Sequence, residues 1–192
     1  MDQDRQPAVR ARSARDLLAY VEVFRPGALE RVYATMPSAS RAVILETPNT
    51  GWIPLEHDHF VVDGVVEVLG RDGGLELWRT FLKGHLESPM LRALFEGFVR
   101  LFGLTPGTVA GFAPRGWGQA YRDFGALVLD ERGKGHAAMR IVDIAPQVFD
   151  FPNYFISIEG TFGGMLDATD TPGTVEMRVD RASREVSAVL RW

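Results

Sequence analysis

The feature that most constrains this chain is a change of apolar spacing at Gly125. Before it, apolar side chains recur every three or four residues, the period of a helix. After it, two stretches alternate with a period of two, which a pleated strand buries on one side. Val175, Met177 and Val179 alternate with Glu176, Arg178 and Asp180. Beyond residues 181–184, Val186, Ala188, Leu190 and Trp192 alternate with Glu185, Ser187, Val189 and Arg191. A hairpin loop at 181–184 sets Val179 opposite Val186, Met177 opposite Ala188 and Val175 opposite Leu190, with the whole set and Trp192 facing inward. A slip of one residue would turn that set into water, so the pattern predicts the register as well as the strands. Residues 126–130 and 137–144 read as an earlier strand pair around the polar, glycine-containing loop 131–135.

Between the two pairs a helix is predicted from about Tyr154, with Phe155, Ile158, Phe162, Met165 and Leu166 on one stripe. Beside it Gly160, Gly163 and Gly164 form a second stripe with Ser157 and Asp167. A glycine inside a helix costs about 1 kcal/mol relative to alanine, so a row of them needs a reason. Close approach of another backbone is the favoured reason, and a second copy packed there, giving a homodimer, belongs to the same reading. The expected fold class is α+β: an N-terminal helical part, then β-β-α-β-β forming a four-stranded antiparallel sheet covered by helices. The expected division is a flexible arm over 1–12 and one domain over 13–192, helical to 124 and sheet-forming from 125.

Punctuation divides the helical part. Ser13 is expected to cap a helix carrying Leu17, Leu18, Val21 and Phe24, and Pro26 to open the next. After Trp52-Ile53-Pro54 comes a helix with Val61, Val62, Val65 and Val66 on its stripe and Gly70 at its stop. Trp78, Phe81, Leu82 and His85 follow at helical spacing. Ser88-Pro89 restarts a helix through Leu91, Phe95 and Phe98 to Gly103, and Thr105-Pro106 repeats the device. Pro114 is expected to begin a last helix, with Trp117, Ala120, Tyr121 and Phe124 a turn apart.

Composition excludes several chemistries. With no cysteine there is no disulfide, no Cys-liganded zinc and no thiol nucleophile. No apolar run approaches the roughly 18 residues a membrane span needs, and residues 1–16 lack the apolar core of a secretory signal, so a cytoplasmic protein is expected. The net charge is −4 with both signs interspersed, which argues against a nucleic-acid face. Arg5, Arg10, Arg12 and Arg15 cluster near the start and read as a solvated terminus.

The residues that might carry chemistry are few. Glu56-His57-Asp58-His59 suggests a metal or acid–base cluster, but residues two apart on a helix point about 200° apart, so the imidazoles cannot share an ion. Acids just after Pro54 also suit a helix N-terminus. Ser157 lacks the G-x-S-x-G elbow of a hydrolase, and the glycines at 160–164 are not a phosphate loop. Trp117 and Tyr121 with Arg122 read as a core anchor with a polar cap, or as an aromatic lid over a cavity with Arg122 binding an anion. No catalytic residue and no metal ligand is predicted.

The runs GWIPLEHDHFVVDGVVEVLG, LRALFEGFVRLFGLTPGTVAGFAPRGWGQAYRDFG and IEGTFGGMLD, with the terminal LRW, resemble a family of roughly two-hundred-residue myxobacterial paralogues without assigned activity. More distantly, β-β-α-β-β with a glycine-bearing helix is similar to the superfamily of haem-NO-binding domains, vinyl-reductase-associated small-ligand-binding domains and Bet3-like tethering subunits. That resemblance implies an apolar cavity between helices and sheet, holding haem, a hydrocarbon-like ligand or an acyl chain, or else an assembly subunit. The haem-binding members' proximal histidine and Tyr-x-Ser-x-Arg clamp find no match here, so no cofactor is predicted and haem is doubtful. The first expectation is therefore a non-catalytic module that binds a small apolar ligand or acts as a sensor. Its pocket is lined by Trp117, Tyr121, Arg122, Tyr154, Phe155, Phe162, Met165 and His85. The alternative is a homodimeric scaffold or protein-interaction subunit with Gly160, Gly163 and Gly164 at its interface. A metal-dependent enzyme using Glu56, His57 and His59 stands third.

Overall fold

The terminal hairpin organises the second half of the molecule. In the computed structural model, which describes residues 6–86 and 103–192 except for the side chains of 85 and 86, β6 (Thr174–Asp180) pairs antiparallel with β7 (Glu185–Arg191). Val179 faces Val186, Met177 faces Ala188 and Val175 faces Leu190, the register that the alternation predicts. Earlier in the chain β4 (Ala126–Gly133) and β5 (His136–Val142) form the other hairpin, and the four strands run in the order β4-β5-β7-β6. Toward the turn both strands extend further than expected and leave only Lys134-Gly135 between them, with Gly135 at φ +84°, while β5 ends at Val142, short of the expected 144.

The strand order explains where the inward set departs from expectation. On the central strands Met139, Ile141, Val186, Ala188 and Leu190 are fully buried. On the edge strand β6, Val175 and Met177 are half-buried and Val179 is 43% exposed, because β6 has a neighbour on one side only. Trp192 follows central β7, so it marks no sheet edge.

One face of this sheet is covered by α6 (Asn153–Asp167), which buries Tyr154, Ile158, Phe162, Met165 and Leu166. Its glycine stripe is filled from within the chain by the second half of α4 (Leu55–Leu86). A Cβ on Gly160 would stand 2.9 Å from the Leu75 carbonyl oxygen, and one on Gly164 2.7 Å from that of Arg79. The expected homodimer interface at Gly160, Gly163 and Gly164 is thereby corrected: these glycines let two helices of one chain meet. Ion pairs flank the seam, Arg79 to Asp167 (2.7 Å), Arg71 to Glu159 (2.7 Å) and Lys83 to Asp170 (2.6 Å). Helix α4 breaks at Gly70 (φ 76°, ψ 170°), the predicted stop, and resumes at once in a new direction.

The N-terminus corrects another expectation. Ala8–Arg10 form β1, flanked by β2 (Trp52–Pro54) and β3 (Tyr121–Arg122) in a second, three-stranded sheet. Ala8 and Val9 are buried, so within the stretch expected as a flexible arm the chain is integrated from Ala8 onward. Because β1 runs straight into α1 (Ala11–Phe24), that helix starts ahead of Ser13, with Arg10 at its cap position and the Ala11 amide donating to the Gly51 carbonyl (3.1 Å). The next helices, α2 (Ala28–Thr35) and α3 (Ser38–Glu46), pack with α1 against α4.

Helix α5 (Pro106–Ala120) begins as Thr105-Pro106 predicts, the Thr105 hydroxyl accepting from the Thr108 amide (3.1 Å). It then runs through Pro114 instead of starting there, and Tyr121 has left the helix for β3. The helix predicted after Ser88-Pro89 lies outside the described residues.

Candidate functional site

Apolar faces of α1, α4, α5 and α6 converge above the sheet without filling the space between them. They leave a cavity of about 680 Å³, walled by Trp78, Phe81, Phe112, Ile158, Phe162 and Met165 among others. Of the residues expected from sequence, Trp117, Tyr121, Tyr154, Phe162 and Met165 line it. Phe155 does not: it points to the other side of α6, its ring 5.5 Å from that of Phe149. Arg122 does not either. It is exposed, 5.3 Å over the Trp52 ring and 3.8 Å from Asp123, and so is no anion-binding group of the cavity. The His85 side chain lies outside the described residues.

On one wall Trp117, Tyr121 and Tyr154 are joined through Phe124, which is buried behind them, into a column of rings. Trp117 meets Tyr121 with centroids 4.3 Å apart, Tyr121 meets Phe124 at 4.9 Å, and Phe124 meets Tyr154 at 5.8 Å. The Trp117 indole is fixed by donating to the Gly125 carbonyl (2.8 Å), the point where helix period gives way to strand period. Gly125 itself takes φ +147°, with the Val142 carbonyl oxygen 3.0 Å from where a Cβ would sit.

At the foot of this column sits a carboxylate. Asp58, in the first turn of α4, lines the cavity, is 4% exposed and accepts the Tyr154 hydroxyl hydrogen bond. Burial pushes its carboxyl up to about 6, against the Tyr154 bond, which pulls it down. Burial in turn, with the Asp58 charge, drives the phenols of Tyr154 and Tyr121 upward, so both stay neutral donors. Ser157 lines the same region and donates to the Tyr154 carbonyl (2.7 Å).

The sequence position of Asp58 alone suggests a helix-terminus acid, whereas the structure buries it in the cavity lining. Its signal is positional: Asp58 precedes Val61, Val62 and Val65 by three, four and seven residues, so it belongs to the apolar stripe. Its two histidine neighbours turn elsewhere. His57 Nδ1 lies 3.1 Å from Ser40 Oγ, and His59 Nδ1 lies 2.8 Å from Asp63, whose other oxygen accepts from Asn153 (2.7 Å). His59 also stacks on Phe151 at 4.1 Å. Among the described residues no three histidine or carboxylate groups converge as a metal site, and no helix is long and apolar enough to cross a membrane.

This layout can be set beside known proteins. No protein-family model and no curated protein matches the chain. Solved structures do. A Fe(II) unliganded H-NOX protein from K. algicida superposes with a TM-score of 0.61 at 9% identity, covering 95% of each chain, and a point mutant of it does so at 0.61 and 10%. A Cs H-NOX mutant follows at 0.50 and 12%, again over 95% of each chain. The chain has the H-NOX fold. At such identities the likeness is one of fold.

Whether the residues here suit haem is a separate matter. Haem iron takes a His, Cys, Met or Tyr side chain on its axis. The described lining contains no histidine and the chain has no cysteine; Met165 and Tyr121 line the cavity, and the Tyr154 hydroxyl is held by Asp58. His57, His59 and His136 are engaged with Ser40, Asp63 and Glu131. The described cavity does not fit a haem with an imidazole or thiolate axis.

Proposed function

We propose that this H-NOX-fold protein is a small-ligand-binding or sensor module, non-catalytic, whose cavity takes an apolar molecule in place of haem. The observation that carries this is the cavity itself. Protein interiors leave few voids larger than a water molecule, so about 680 Å³ of open, mostly apolar space is not a by-product of folding. The volume falls within the roughly 300–1,000 Å³ of small-ligand sites, and an apolar wall with a few placed polar groups is their usual lining. The fold adds support, since its neighbours include a protein described as Fe(II) and unliganded. The scaffold reading has lost its motive, because α4 covers the glycine stripe.

Native mass spectrometry of the purified protein tests the proposal. A mass above that of the bare chain, removed by organic extraction and recovered as one small molecule per chain, is expected. A bare mass together with failure to take up any apolar probe would remove it.

A further inference from the structure

Asp58 and the ring column beside it are the part of the cavity that an apolar ligand leaves unexplained. From their juxtaposition we infer that the cavity selects an organic cation, an amine-bearing molecule whose nitrogen seats against Asp58 while its apolar body lies along Trp117, Tyr121 and Tyr154. This rests on the cavity being a ligand site and names the chemical class of the ligand.

Three observations lead there. The first is a buried acid without a cationic partner among the described residues. Asp58 is 4% exposed and takes the Tyr154 hydroxyl, and among the described residues no lysine, arginine or histidine pairs with it. Asp63, further along the same helix, has by contrast both a histidine and an asparagine. Its carboxyl, pushed up to about 6, is still mostly ionised at neutral pH, so the cavity floor carries a negative charge. An ion in such a place is costly unless a partner of opposite sign meets it. Asparagine would fill the same space and accept the same hydroxyl without that cost, so folding alone gives no reason for an acid.

The second is the wall. Trp117, Tyr121 and Tyr154 line the cavity together with the carboxylate, and aromatic rings attract cations through their quadrupoles. Rings plus a desolvated carboxylate suit an ammonium or guanidinium group and repel a fatty carboxylate.

The third is the rim, where arginines would serve an anionic head group if they were available. Arg10 is committed to the Thr50 carbonyl (2.7 Å) and lies 3.7 Å over the Trp52 ring, and Arg12 is paired with Asp16 (3.4 Å).

Calorimetric titration of the full chain with n-octylammonium, n-octanol and octanoate tests this, because the three share a tail and differ in the head. The wild type should bind n-octylammonium about ten-fold or more tighter than n-octanol, with octanoate weakest. Asp58→Asn should level the three while the melt stays cooperative. If n-octanol or octanoate binds as tightly as the amine, the cation inference is overturned and the ligand site stands. If none of the three saturates, both readings are overturned. Should Asp58→Asn fail to fold, the head-group ranking on wild type decides alone.

Discussion

Asp58 couples the candidate site to stability in a way that can be measured without any ligand. Its carboxyl is raised from 3.8 to about 6 by burial. The folded protein therefore binds that proton more tightly than the unfolded chain. The resulting stability is complete below pH ~4 and is lost as pH rises through about 6. The shift corresponds to about 3 kcal/mol of lost stability. Asp58→Asn should abolish this slope between pH 4 and 6 and raise stability at pH 7 by about 1–3 kcal/mol, read as urea midpoints across that range. Parallel profiles for mutant and wild type would refute the assignment. Tyr154→Phe removes the hydroxyl that Asp58 accepts, and should destabilise by about 1–3 kcal/mol at pH 7 and less at pH 4, where the acid is protonated. That Asp58 was legible only as a helix-terminus acid has a physical cause. Helical spacing puts it on the stripe, but the ring that donates to it lies 96 residues away.

At the scale of elements, the seam between α4 and α6 depends on which glycine faces backbone and which faces a side chain. A Cβ on Gly164 would meet the Arg79 carbonyl oxygen at 2.7 Å and Leu82 Cβ at 2.9 Å, neither of which can swing aside. The three atoms nearest to a Cβ on Gly163 would be Cγ, Cδ and Nε of Arg79 at 3.1 Å, side-chain atoms that need to give by only a few tenths of an ångström and can do so with the Asp167 ion pair kept. Gly164→Ala should therefore lower stability by about 1–3 kcal/mol despite the better helix former, and Gly163→Ala should be neutral or slightly stabilising. Thermal melts of the two variants distinguish this from a dimer interface, where both would change the oligomeric state instead. The register of β6 and β7 was readable because alternation over seven residues on each side leaves one pairing that buries the apolar set. The three-stranded sheet was not readable. β1, β2 and β3 are at most three residues long, too short to show a period, and Val9 pairs with Tyr121 far along the chain. Gly70 announced its break, because φ near +76° is a backbone state that glycine alone takes cheaply.

At the scale of the whole molecule, the protein keeps the H-NOX fold around a cavity whose described lining holds a carboxylate and tyrosines but no imidazole. Haemin added to the purified chain is accordingly expected to give no stoichiometric complex with a sharp Soret band. A stable complex of that kind would show that haem finds an axial ligand beyond the described lining. The cavity was implied by the resemblance and by Trp117 and Tyr121 as a lid, and not by the apolar stripes, since a stripe looks the same whether it meets another side chain or open space. The decisive measurement is a fluorescence titration of an apolar probe into wild type and Ala113→Trp, whose added ring would occupy open space on the α5 side of the cavity. Saturation at one probe per chain in wild type, lost in Ala113→Trp at an unchanged or higher unfolding midpoint, is the predicted result. Equal binding by both proteins, no binding by wild type, or a collapse of stability in Ala113→Trp like that of an overpacked core would contradict it.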